Sequence, residues 1–61
     1  MTQNMRKVLR IVQAYPEGVT ALEVHKATRI SFHSVSSALR KLREAWKVAG
    51  RGGIWRLAKI N

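Results

Sequence analysis

The chain has 61 residues, room for one small domain that buries roughly 60% of the surface its unfolded form exposes, so the fold depends on close packing. Twelve Lys and Arg stand against three glutamates, Glu17, Glu23 and Glu44, with no aspartate, and the formal charge of +9 calls for an anionic partner. Cysteine is absent, which excludes disulfides, cysteine zinc sites and thiol nucleophiles, while an apolar share of 46% is too high for a purely disordered basic arm.

Arg6, Lys7 and Arg10 interrupt the N-terminal stretch, so neither a signal peptide nor a membrane span is expected there. From Met5 to Tyr15 the apolar residues Met5, Val8, Leu9, Val12 and Tyr15 recur every three or four positions, with Arg6, Lys7, Arg10 and Gln13 opposite. That period predicts a first helix. Pro16 disfavours helical geometry at Tyr15, and "YPEG" places Pro and Gly at the second and fourth positions of a type I turn.

Thr20 and Glu23 have the spacing of a capping box, and Val19 and Val24 flank the cap as a hydrophobic staple. A second helix is predicted from there to about Thr28, with Ala21, Val24 and Thr28 on one face and Leu22 pointing away beside Lys26. Ser31 caps a third helix between Ile30 and Val35, leaving a turn of three residues. In it Val35, Ala38, Leu39 and Leu42 form a narrow apolar stripe. His33, Ser36, Ser37, Arg40 and Lys41 fall on the other side, with Phe32 and Arg43 near the boundary.

This helix is expected to stop near Ala45 or Trp46. "WKV" and "IWRLA" then flank "AGRGG" as a β-hairpin in which Val48, Trp55 and Leu57 cover the core, and Trp46 is expected in the core or at its edge. The predicted fold is α+β, mainly α: three helices followed by a short β-hairpin, in a single domain over 1–61.

Two helices joined by a short turn, the second presenting small polar and basic groups, have the form of a helix-turn-helix. The preceding helix and following hairpin make it a winged helix. Hydroxyl, imidazole and guanidinium groups on a helix in the major groove can reach base edges, and a wing arginine can reach phosphate or the minor groove. Arg40, Lys41 and Arg51 are expected on one side of the molecule. Candidate DNA contacts are Arg29 in the turn, Ser31, His33, Ser36, Ser37, Arg40 and Lys41 on the third helix, and Arg51 at the wing tip.

On these residues the chain resembles the winged helix-turn-helix family. "TALEVHKATRISFHSVSSALRKL" is similar to the DNA-binding segments of MarR-type and IclR-type bacterial regulators, and "VAGRGGIWRLA" to their wing. The resemblance implies a small DNA-binding transcriptional regulator in the cytoplasm, on the nucleoid of a bacterium or in the host cytoplasm for a phage protein. No sensor domain or dimerisation helix is expected beyond the wing, so specificity would draw on a homodimer on DNA or on a protein partner. Three positions depart from the family pattern: His25 where alanine is favoured, Arg29 where a turn glycine is favoured, and Trp46 where a glycine often ends the third helix.

Other functions have less behind them. A protein-interaction module is the main alternative, with Leu22 and Phe32 as its contact residues if exposed. Binding to Z-form DNA or RNA is a further option, since Trp55 resembles the wing tryptophan of Z-DNA-binding winged helices. That family keeps an asparagine and a tyrosine on the third helix and prolines in the wing, whereas this chain has Ser36 and Arg40 and no wing proline. "GRGG" lacks the Lys and Ser/Thr of a phosphate-binding loop. His25 and His33 lie on different helices without an acidic neighbour, and no catalytic set, cofactor or metal site is expected.

Overall fold

The computed structural model describes residues 1–58. They form α1 (Gln3–Ala14), β1 (Val19–Thr20), α2 (Ala21–Thr28), α3 (Phe32–Glu44), β2 (Val48–Arg51) and β3 (Ile54–Leu57). The fold is α+β and mainly helical, with a small antiparallel sheet in the order β1-β3-β2, an arrangement compatible with a winged helix. Among the described residues no helix is long and apolar enough to cross a membrane.

Local signals set most boundaries. The Thr2 hydroxyl accepts the Met5 N–H at 3.2 Å, so α1 begins two residues before the apolar spacing alone predicts. Tyr15, grouped by that spacing with the buried face, lies outside the helix and is exposed. Pro16 forces it out of helical geometry, and the Gly18 N–H closes the turn on the Tyr15 carbonyl at 2.9 Å. The capping box forms as expected: Glu23 N–H donates to the Thr20 hydroxyl at 3.1 Å and Thr20 N–H to the Glu23 carboxylate at 3.0 Å.

The core is Val8, Val12, Val19, Val24, Val35, Ala38, Leu39, Leu42 and Val48, drawn from all three helices and two strands. A single layer of such residues is all that so short a chain can enclose. Truncating Leu39, fully buried on α3, is therefore expected to cost on the order of 2–5 kcal/mol, enough to unfold a marginal domain.

Gly52 and Gly53 carry the hairpin turn with φ of +59° and +81°, as a two-residue type I′ loop between Arg51 and Ile54 requires. The strand β1 has no counterpart in the sequence reading, which takes Val19 and Thr20 only as the entry to α2. They pair with Trp55 and Ile54, making β3 the central strand and tying the hairpin to the front of α2.

Two hairpin expectations are corrected. Leu57 is 41% exposed: it ends β3, beyond Ile54 and Trp55, the two residues that β1 covers. Trp46 is 79% exposed, because a φ of +61° swings its side chain off the buried stripe of α3. Trp55 is half-buried and packs on the core, as expected.

Candidate nucleic-acid interface

The turn between α2 and α3 is held by side chains. Thr28 donates its hydroxyl to the Val24 carbonyl at 2.8 Å and accepts the Ile30 N–H at 3.3 Å. The His25 ring donates from Nδ1 to the Ile30 carbonyl, which fixes the proton on that nitrogen, since a carbonyl can only accept. Both backbone groups of Ile30 are thus satisfied from α2. The departure at His25 has its explanation here: where alanine would serve close packing, the imidazole supplies a bond to the turn and an edge contact to Phe32, with ring centroids 6.2 Å apart.

Arg29 occupies the left-handed region at φ +62°, the conformation for which a glycine would be the usual residue, and its N–H bonds the His25 carbonyl at 2.8 Å. Its side chain is exposed. Ser31 caps α3, its oxygen accepting the Ser34 N–H at 3.2 Å while its proton goes to the Ser34 hydroxyl at 2.9 Å. The Ser31 hydroxyl is therefore engaged in holding the helix start.

The exposed face of α3 divides into two flanks, each bordering a hollow. On one, His33, Ser37 and Lys41 face Thr2 and Asn4 at the start of α1. On the other, Ser36, Arg40 and Arg43 border Trp55 of β3. The two flanks meet along the row His33, Ser37, Arg40, which the 3.6-residue period sets on the outermost line of the helix. Glu44 follows Arg40 by one turn, so the basic character is greatest in the middle of α3. Every lysine and arginine between residues 1 and 58 is exposed.

Arg43 and Trp55 were not among the expected contacts. The Arg43 guanidinium stands 5.8 Å from the indole centroid, within cation–π range, which orients the charge at the edge of the second hollow. Gly50, the cross-strand partner of Trp55, makes that placement possible, because a Cβ there would lie 2.7 Å from the ring. Arg43 could have been found from its spacing, three residues after Arg40 and seven after Ser36. The contribution of Thr2 and Asn4 has no signal in the sequence, since it depends on how α1 lies against α3.

Arg51 lies on the hairpin apart from the two hollows beside α3. It lines a separate hollow with Ala49, Ile54 and Arg56, on the face of the hairpin away from Trp55, because side chains alternate along a strand. Lys41, Arg40 and Arg51 thus border three different hollows, and Arg56 joins Arg51 as a second guanidinium.

Among titratable groups, Glu23 is held below the ordinary carboxylate range, chiefly by the Thr20 backbone N–H, then by the Thr20 hydroxyl and the charge of Lys26. Among the described residues no group of three His, Cys, Asp or Glu is placed to hold a metal ion. Comparison of the chain with protein-family models, curated proteins and solved structures returned no significant match.

Proposed function

We propose that this protein binds double-stranded DNA sequence-specifically and acts as a small transcriptional regulator, with α3 in the major groove and the hairpin against the backbone or minor groove. What supports this reading is the middle of α3, where Ser36, Ser37 and Arg40 are carried on a helix whose start is held by the His25 and Thr28 bonds. A helix of 13 residues is about 20 Å long and spans roughly 5 base pairs of a groove whose width matches a helix with its side chains. In this reading Arg40, with Ser37 and His33, addresses base edges, Lys41 and Arg43 address the strands on either side, and Arg51 and Arg56 address backbone further out. The resemblance to winged helix-turn-helix regulators points the same way, and a place on the nucleoid or in a phage-infected cytoplasm goes with it.

Selection from a random duplex pool at fixed salt is the direct test. An enriched motif is expected, with log K falling against log salt at a slope of roughly −5 if about five phosphates are neutralised. Arg40→Ala should relax the motif at one position, whereas Arg51→Ala should weaken all sequences alike. Tight, salt-sensitive binding with no enrichment would reject sequence specificity.

Docking on another protein is the second reading, supported by Leu22 and Phe32, which are 50% and 49% exposed. It predicts that a variant unable to bind DNA keeps its biological activity. Loss of activity with loss of DNA binding would reject it.

A further inference from the structure

The half-buried Trp55 is held in place by the sheet beneath it. Its strand is the central one, paired through Trp55 to Val19 on one side and to Gly50 on the other. A Cβ on Gly50 would lie 2.7, 2.8 and 2.9 Å from three adjacent atoms of the six-membered ring, Cζ3, Cε3 and Cη2. Distances so nearly equal put Gly50 over the face of the ring, since an approach along the edge would meet one atom well before its neighbours. A glycine inside a strand weakens it, and here it admits an approach that any side chain would block.

With one face laid on β2, the indole has its other face for α3. There the Arg43 guanidinium stands over the ring, 5.8 Å from its centroid. Among the described residues no carboxylate borders this hollow, so the ring and not an ion pair orients the guanidinium, and its N–H fork is left for an outside anion. Arg43 follows Ser36 by seven residues and Arg40 by three, which sets it on the β3 side of the outermost line of α3. In a groove that flank meets the backbone wall, while the outermost line meets the bases.

We propose that Trp55 is a positioning residue for nucleic-acid binding: its ring holds Arg43 so that one backbone phosphodiester on the β3 side of the groove meets a preset N–H fork. The proposal rests on the DNA reading above. An exposed arginine otherwise has many rotamers to lose on contact, and the stack removes part of that loss beforehand.

Anisotropy titrations of a duplex that the parent binds, at fixed salt and with a thermal melt of each variant, test it. Arg43 is exposed, so its variants leave the core untouched. Arg43→Ala is expected to weaken binding ~10-fold, and Arg43→Lys, which keeps the charge but not the planar fork, ~5-fold. Trp55→Leu should cost ~5-fold and Trp55→Phe, which keeps an aromatic face, less than about 2-fold. Combined with Arg43→Ala, Trp55→Leu should add nothing, giving ~10-fold in place of the ~50-fold of independent effects. A second readout needs neither DNA nor a Trp55 variant. In Trp46→Phe, where Trp55 is the single tryptophan, Arg43→Ala should raise acrylamide quenching of the indole emission. Additive losses, Arg43→Lys binding like the parent, or unchanged quenching overturns the proposal and leaves the DNA reading intact. A parent that binds no duplex rejects the DNA reading itself, and the proposal with it.

Discussion

Helices α2 and α3 end alike and are secured differently. Each closes on a non-glycine residue in the left-handed region, Arg29 at φ +62° and Trp46 at φ +61°. At Trp46 the backbone alone makes the closure: Lys47 N–H bonds the Leu42 carbonyl at 2.9 Å and Trp46 N–H the Arg43 carbonyl at 3.0 Å, the paired bonds of a Schellman motif. At Arg29 the backbone makes one bond, and the side chains of His25 and Thr28 hold the next residue. The first ending can form for almost any residue that tolerates the angle. The second is written into α2 and sets where α3 begins, which is the more demanding task if α3 addresses a groove.

The largest expected effect that breaks the comparison is His25→Ala. It leaves the half-buried Ile30 carbonyl without its donor and should cost about 2 kcal/mol in denaturant unfolding, with DNA affinity falling as well. Thr28→Val, which keeps the shape and removes the hydroxyl, should cost about 1 kcal/mol by the same measurement. If either variant melts like the parent, the side-chain account of this turn is wrong.

Arg29→Gly and Trp46→Gly sharpen the comparison from the other side. Each should stabilise the fold by up to about 1 kcal/mol through relief of the left-handed strain, partly offset by the freedom glycine gains in the unfolded chain. Their binding should then diverge. Arg29→Gly is expected to lower the salt slope of DNA binding by about 1, since it removes a cation beside the groove-facing helix. Trp46→Gly is expected to leave the DNA slope unchanged.

The smallest effect concerns the start of α2. Because the Glu23 carboxyl is held below its ordinary range in the folded state, its contribution is present above the unfolded value and is lost as pH falls through the folded one. Glu23→Gln can still accept the Thr20 N–H, so the variant should show a slightly shallower loss of melting temperature in acid than the parent. An identical acid profile would mean that the charge of Glu23 does not matter to the cap.

Much of the architecture was legible because its causes are local. Thr20 with Glu23, Ser31 before Phe32, and Gly52 with Gly53 each act within a few residues, and each marks an element boundary close to where it occurs. The stripe Val35, Ala38, Leu39 and Leu42 likewise identifies the buried face of α3 from period alone. The candidate site was legible only in part. Arg40, His33 and Ser37 follow from the same period, but the side of the hairpin that Arg51 takes depends on strand register, and the nearness of Trp55 to Arg43 depends on Gly50 across the sheet.

By itself the sequence determined the order of helices, their caps, the hairpin turn and a strongly basic surface, since charge count, side-chain period and short-range hydrogen bonds need no distant partner. The tertiary structure decided what lies far apart in the chain. It paired Val19 with Trp55, divided the face of α3 between a hollow against α1 and a hollow against β3, and left Trp46 and Leu57 at the surface together. The physical reason is the small core: among the described residues nine are buried in it, and where each remaining apolar side chain goes is set by which neighbours have already closed over it.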